Sequence, residues 1–440
     1  MKRLTYAGLR ALSALQHFLR ERLTPAGWVV LAAAGTAGGL GVDTGRTMSY
    51  QAFAFLVALL GVAFLAAAFF RVRVVVAREL PRYATAGERF EYRLVVHNQG
   101  RSAVQAAARE ALRDPRPAYE EWRRSREPGE ERRNWFDRNQ GYFRWRWLIA
   151  RRTPERAEAQ PLGPLAPDAR QEVRLWLRPR RRGRVELGAV QLSRTDPLGL
   201  VRGLAAVGAP ARVIALPKRY RLPPIALPGR RRFQQGGVAL ATSVGDSEEF
   251  IGLREYRPGD PLQRMHWKSY ARTGTPIVKE FQDEFFERHA LVLDTSTEHG
   301  EDPAFEEAVA VAASFVYAID TRECLLDLLF VGGEVRTYTA GRGQMHIEHM
   351  LEVLAGVAPS VPTEFTTLAR AVSAQRTALT SCIVVFVAWD EERRIFLERL
   401  RAGGLEVRAV LVCDRETAPR APGLLVLHPG EIDAGLASLR

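Results

Sequence analysis

The sequence predicts a multi-domain chain: an N-terminal transmembrane helical hairpin, a small β-sandwich, then an α/β domain. Three observations predict it. Two nearly uncharged apolar runs lie close together near the N-terminus, short alternating strands with turn signals follow, and the last third alternates apolar strands with amphipathic helices. At 440 residues there is room for two or three domains.

Residues 1–24 are basic, with Lys2, Arg3, Arg10, Arg20 and Arg22 against Glu21 alone. Residues 25–42 carry no charge, and 50–70 are apolar apart from Gln51. Each run is close to the ~20 residues a helix needs to cross the hydrocarbon core. Together they delimit two transmembrane helices within 25–70. Basic residues gather before the first span and after the second (Arg71, Arg73, Arg78, Arg82), so the positive-inside rule places both ends in the cytoplasm. Gly35 and Gly39 offer a small-xxx-small packing face on the first span.

Residues 71–217 read as the sandwich. Phe90, Tyr92 and Leu94 alternate with charged neighbours and lead to a turn at Asn98-Gln-Gly100, and Val173, Leu175 and Leu177 alternate likewise. An inserted lobe at about 110–160 is rich in arginine and aromatics, including Trp122, Trp135, Trp145 and Trp147. Arginine beside aromatics can stack bases. Here Glu120, Glu121, Glu127, Glu130, Glu131 and Asp137 interrupt the positive field, so nucleic-acid binding is only a second alternative. Residues 218–245 form a Pro/Gly connector.

From 246 to 440 a charged segment precedes the α/β pattern. Strands are expected at 289–294, 325–331, 382–388, 407–413 and 424–428, with helices at 303–320, 346–357, 365–374 and 391–402. Such alternation implies a largely parallel sheet covered on both faces.

Composition narrows the function. Net charge is +13, from 63 basic against 50 acidic residues, and only four of the bases are lysines. That balance permits contact with anionic lipid or an acidic partner. Cys324, Cys382 and Cys413 are widely spaced with no Cys-x-x-Cys, so neither a zinc knuckle nor a disulfide framework is indicated, and buried thiols in a reducing compartment fit best. A Walker A loop needs lysine after glycine, and none of the four lysines follows one. No Gly-x-Ser-x-Gly elbow or His-Glu-x-x-His motif occurs. The chain is read as a non-enzyme.

Two stretches carry the candidate chemistry. The first strand of the α/β domain ends at Asp294-Thr-Ser296-Thr-Glu298, and Thr366, Thr367 and Asp390 are further candidates from neighbouring segments. Oxygen ligands at a strand end suit a hard cation such as Mg²⁺. The plainer alternative is that Asp294 and Ser296 cap the loop and Asp390 caps the following helix. The other stretch, 246–284, interleaves Glu249, Arg254, Asp260, Arg264, His266, Lys268 and Arg272 with Tyr256 and Trp267 around the turn at Gly259. Its charges predict either an ion-pair clasp or a contact surface. A base and orienter at His266 and Asp260 give the enzymatic alternative, a hydrolase acting on envelope material.

These residues resemble the domain of unknown function 58 family. Glu249-Phe250, Leu253-Arg254-x-Tyr256, Gly259-Asp260, Arg264, His266-Trp267-Lys268 and Ala271-Arg272 are similar to its signature segment. Leu23-Thr-Pro-Ala-Gly27-Trp28, Ala86-Gly87-Glu88 with Asn98, Arg182-Gly183-Arg184 and Pro197-Leu-Gly199-Leu200 look like its earlier parts. The resemblance implies a von Willebrand factor A-like domain on a membrane anchor. It further implies a MoxR-type AAA+ ATPase as cytoplasmic partner of a scaffold or adaptor in envelope or complex assembly, with other envelope proteins as further contacts. An A-type fold would present Asp-x-Ser-x-Ser, a threonine and an aspartate to a metal. Asp294 and Ser296 match the first two, Glu298 stands where the second serine would, and Thr367 and Asp390 would complete the set.

Overall fold

The computed structural model describes residues 2–40, 47–112, 114–127, 129–223, 248–260, 262–283, 287–297, 303–319, 324–332, 334–341, 347–361, 364–419 and 421–438. Most of the expected connector at 218–245 therefore lies outside the described residues. The chain divides into two compact units. One holds residues 1–219 with 298–313 and 351–358, and the other holds 220–297, 314–350 and 359–440.

The first unit begins with α1 (Lys2–Arg22), α2 (Pro25–Leu40) and α3 (Thr47–Ala68). Residues Met48–Ala68 form a helix long and apolar enough to cross a membrane, and Pro25–Leu40 is a shorter apolar helix. Pro25 is well placed at the first turn of α2, where its missing N–H costs nothing. The close approach of α2 and α3 differs from the expected one. A Cβ on Gly38 would lie 3.1 Å from the Phe53 ring, whereas Gly35 and Gly39 face open space. The spacing that suggested Gly35 and Gly39 says nothing about which helix face turns inward; the bulk of Phe53 decides it.

Two sheets follow. One has the order β1 (Val74–Glu79), β3 (Phe90–Asn98), β7 (Arg170–Arg178), β5 (Glu155–Arg156). The other runs β2 (Tyr83–Thr85), β10 (Ala211–Leu216), β8 (Gly183–Thr195), β4 (Val104–Leu112), β6 (Gln160–Leu165), with β9 (Arg202–Val207) also paired to β8. Alternation does the building: Tyr92, Leu94, Val96, Leu175 and Leu177 from the first sheet share one buried core with Ala108, Leu187, Val190 and Leu192 from the second. Within this core Arg78 and Tyr92 both bond the carboxylate of Glu110, at 2.6 and 2.7 Å, so a buried charge is paired and hydrogen-bonded.

Between β4 and β5 stand three short helices, α4 (Tyr119–Arg124), α5 (Trp135–Gln140) and α6 (Tyr142–Arg152). Trp122 and Trp145 are each 2% exposed, and Trp122 Nε1 donates to Gly141 O at 3.0 Å. Gly141 has φ +63°, and a Cβ there would sit 2.7 Å from the Trp122 ring, so only glycine joins α5 to α6. Several of the aromatics that suggested base stacking are thus this lobe's own core.

In the second unit a hairpin of β11 (Glu248–Glu255) and β12 (Ile277–Asp283) encloses α7 (Trp267–Thr273). The main sheet has the order β15 (Glu334–Ala340), β14 (Cys324–Gly332), β13 (Glu287–Leu293), β16 (Ser381–Phe386), β17 (Glu406–Val412), β18 (Leu424–Leu427). All its pairings are parallel except β14 with β15. Alternate residues on both faces are fully buried, Val292 and Val384 as well as Leu291 and Ile383, which is why these strands read as continuous apolar runs. On one face α10 (Phe365–Gln375) and α11 (Glu391–Ala402) share a core with the strands through Leu368, Val372, Phe396 and Leu400.

Candidate functional site

The strand order reverses between β13 and β16, and open parallel sheets bind ligands outside the carboxyl ends of strands at such a point. Asp294 follows β13 there and is fully buried, with Thr295 at 1% and Ser296 at 2% exposure. Backbone bonds pin the loop. Thr295 O accepts from Ser360 N at 2.7 Å, Ser360 O accepts from Thr297 N at 3.1 Å, and the Thr295 hydroxyl donates to Val331 O at 2.8 Å.

The cation in this loop comes from the chain itself. Arg393, on the first turn of α11 and 3% exposed, donates from Nε to Asp294 Oδ2 at 2.7 Å and from Nη2 to Ser296 Oγ at 3.0 Å. Asp294 Oδ1 meanwhile accepts from the Ser296 amide at 3.0 Å and from the Ser296 hydroxyl. Asp390 caps α11 by accepting from Arg393 N at 2.9 Å, and its other oxygen pairs with Arg393 Nη1. The guanidinium also lies over the Phe365 ring, 4.5 Å from its centroid. Burial works against the charge on Arg393, but the Asp294 and Asp390 carboxylates outweigh it and raise its pKa.

Asp294, Ser296 and Asp390 therefore do come together, though around a guanidinium. Thr367 does not join them. It is exposed on the first turn of α10, and no hydrogen bond links it to Asp294 or Asp390; the neighbouring Phe365 is the residue that α10 contributes. Glu298 lies outside the described residues. As placed, this donor set does not fit a divalent cation, because both Asp294 oxygens and the Ser296 hydroxyl are already bonded inward. No group of three or more His, Cys, Asp or Glu side chains able to hold a metal occurs among the described residues. The missed signal was Arg393 itself, whose i, i+3 spacing from Asp390 turns a helix cap into the third member of a network.

Among the described residues of the signature stretch, one ion pair stands out. Arg254 holds Asp260 through two bonds of 2.7 Å, while Asp260 Oδ2 also accepts from Arg257 N at 2.8 Å. These bonds, led by the one from Arg254, pull the Asp260 carboxyl down to about 2. Gly259 supplies the turn with φ +107°. His266 Nδ1 is engaged by Ser269 Oγ at 2.6 Å, and no hydrogen bond joins it to Asp260, so base and orienter are committed to different partners. Trp267 and Tyr270 meet edge to face at 6.2 Å and remain largely in solvent, as do Lys268 and Arg272. Tyr256 is half-buried and ties the hairpin by donating its amide to Pro276 O at 2.9 Å. Arg264 is exposed, and the Glu249 side chain lies outside the described residues. The stretch is a hairpin stapled by Arg254 and Asp260, with an aromatic and basic outer face.

Residues 252–431 match the family described as "Protein of unknown function DUF58". This part of the chain belongs to the DUF58 family. The matched residues take in most of the hairpin, all of the main sheet and the Asp294–Arg393 pair. The chain is also 26% identical over 176 residues to the "Uncharacterized protein YeaD" of Bacillus subtilis (strain 168), spanning 40% of this chain and 42% of that one, so less than half of the relative's length is matched. The structure of Pseudomonas fluorescens alkylpurine DNA glycosylase AlkC bound to DNA containing an abasic site analog aligns at 13% identity over 44% of each chain with a TM-score of 0.20, too weak a likeness to carry any argument.

Two segments ahead of the DUF58 match meet although ~175 residues separate them. Thr24 N donates to Leu200 O at 3.0 Å, and the Thr24 hydroxyl donates to Gly199 O at 2.6 Å while accepting from Gly27 N at 3.0 Å. A Cβ on Gly27 would lie 2.2 Å from Leu200 O, so glycine is required where α2 crosses the turn between β8 and β9. Gly203 likewise sits against Ala67 and Phe70 at the end of α3. The Leu23–Trp28 and Pro197–Leu200 motifs are the two halves of one joint.

Proposed function

We propose that the protein is a membrane-anchored, non-enzymatic scaffold or adaptor that binds a cytoplasmic partner, a MoxR-type AAA+ ATPase by family resemblance, in envelope or complex assembly. The reading takes α2 and α3 as a two-span hairpin in the bacterial inner membrane, with both termini and the main domains cytoplasmic. It takes the main sheet and its helices as a von Willebrand factor A-like domain. The observation that carries it is the pairing of Asp294 with Arg393. At the sheet position where an enzyme or a metal receptor would keep reactive oxygens open, the charged groups bond one another. The apolar helix Met48–Ala68 supports the anchor. The exposed Trp267, Tyr270, Lys268 and Arg272 on the hairpin supply an aromatic and cationic contact face of the kind partners use.

The test is affinity capture of the detergent-solubilised full chain with a purified MoxR-type ATPase, with and without Mg²⁺. Co-elution that Trp267→Ala together with Arg272→Ala abolishes is the expected result. No enrichment in either condition would sink the reading. The hydrolase alternative requires His266 and Asp260 to work together, and their separate partners count against it.

A further inference from the structure

The lone acid of the N-terminal basic segment has a task. Glu21 accepts Arg109 at 2.9 Å, Arg156 at 3.5 Å and Gln191 Nε2 at 3.1 Å, which fastens the C-terminal end of α1 to the sandwich. The other end is held by Tyr6, whose hydroxyl donates to Pro117 O at 3.0 Å and whose ring lies against Tyr119, Trp122 and Trp145. α1 is thus clamped at both ends, and the clamp fixes which face it turns outward.

That outward face is apolar. Leu4 is 78% exposed, Leu12 51%, Leu15 55% and Phe18 47%, with Ala7 and Ala11 exposed between them. Spacings of three, four, seven and eight residues put these on one stripe. Phe18 stacks on Phe64 of α3 at 6.3 Å, so the stripe continues onto α3, where Val62 and Leu65 are also exposed. Arg3 and Arg10 lie exposed toward one edge of it, and the Arg22 guanidinium lies over the Phe18 ring, 5.1 Å from its centroid. A soluble protein rarely leaves such a stripe uncovered.

We propose that α1 is an interfacial helix whose Leu4–Phe18 stripe lies in the headgroup–acyl boundary of an anionic bilayer. Continuity with the exposed face of α3 selects a bilayer as the occupant, and the flanking cations select anionic lipid. The inference rests on the reading of α3 as a membrane span. It adds that the membrane grips the protein along a third element, parallel to its surface.

The experiment uses the full chain in vesicles of equal parts phosphatidylcholine and phosphatidylglycerol, with a nitroxide on Leu12→Cys, His17→Cys or Leu65→Cys. The native cysteines are buried, which leaves the new thiol as the reactive one. Oxygen partitions into lipid and a nickel chelate stays in water, so their relaxing effects report depth. The Leu12→Cys label is expected to respond mainly to oxygen, like Leu65→Cys, while His17→Cys responds to nickel. If Leu12→Cys follows His17→Cys while Leu65→Cys stays lipid-exposed, the interfacial helix is wrong and the anchor stands. If Leu65→Cys is itself nickel-accessible, both readings fall. A Leu12→Cys label shielded from both agents means that protein covers the stripe, which also overturns the proposal. In vesicles of phosphatidylcholine alone the Leu12→Cys label should move toward water, and an unchanged depth would remove the requirement for anionic lipid.

Discussion

Arg393 Nε lies 2.7 Å from Asp294 Oδ2, and both side chains are almost wholly withdrawn from water. Removing one member of such a pair leaves an uncompensated buried charge. Arg393→Ala should therefore cost about 3–5 kcal/mol, and Arg393→Met with Asp294→Asn together should cost much less than the sum of the two single changes. Thermal unfolding of the solubilised full chain reads this, and additive losses would show that the two residues are not coupled.

The same pair bears on cations. A ligand that binds only the folded state raises the unfolding temperature in proportion to the logarithm of its concentration. With the Asp294 and Ser296 oxygens bonded inward, addition of millimolar Mg²⁺ should leave the unfolding temperature where it is. A rise lost in Asp294→Asn would contradict the closed arrangement directly.

His289 provides a pH signature. Its ring is 3% exposed and bonded through Nδ1 to Ser381 Oγ at 2.8 Å, and burial is the main force pushing its pKa below the ordinary value. The folded state thus keeps it neutral while the unfolded chain takes up a proton near pH ~6.5. Its contribution to stability is complete above that pH and falls as the solution is acidified below it. His289→Gln should flatten this part of the stability profile, and a profile as steep as that of the unaltered protein would rule the residue out as its source.

Asp260 has the opposite sense. Its carboxyl is held down to about 2 by Arg254, so the turn it staples stays closed through the ordinary carboxylate range and opens only as pH falls toward that value. Asp260→Asn should open it at neutral pH. Amide protection factors across residues 254–260, measured against the intrinsic rate at each pH, should then fall to values that the unaltered protein reaches only in strong acid, and unchanged protection would place the closure elsewhere.

The joint at Gly27 offers a steric test. A methyl group there would meet Leu200 O at 2.2 Å, which backbone cannot relieve by a rotamer change. Gly27→Ala should free the start of α2 from the turn between β8 and β9, with a loss of at least ~1–3 kcal/mol typical of overpacking. Increased proteolysis at 195–202 would reveal it, and an intact turn would show that the contact is dispensable.

The parts of this fold legible in the sequence were those that periodicity encodes. Tyr92, Leu94, Leu175 and Leu177 alternate because one side of each strand is wet, and Leu291 to Leu293 are continuous because both sides are dry. Side-chain choice at the strand ends was not legible. Asp294 and Ser296 look alike whether they face a metal or a guanidinium, since the same oxygens serve both, and only the path of α11 brings Arg393 from ~100 residues away. Local spacing likewise could not separate Gly38 from Gly35 and Gly39, nor show that α1 is apolar on the side away from the protein.

The joint of Thr24 and Gly27 with Leu200 has a mechanical consequence. A domain hung from a membrane on a flexible tether samples a volume set by the tether's length, whereas one bonded at its anchor's first turn has almost no play. If α2 and α3 lie in a bilayer, the sandwich stands at one height and one tilt above it. A partner would then meet it by diffusing along the membrane plane, at a distance written into residues 199–203.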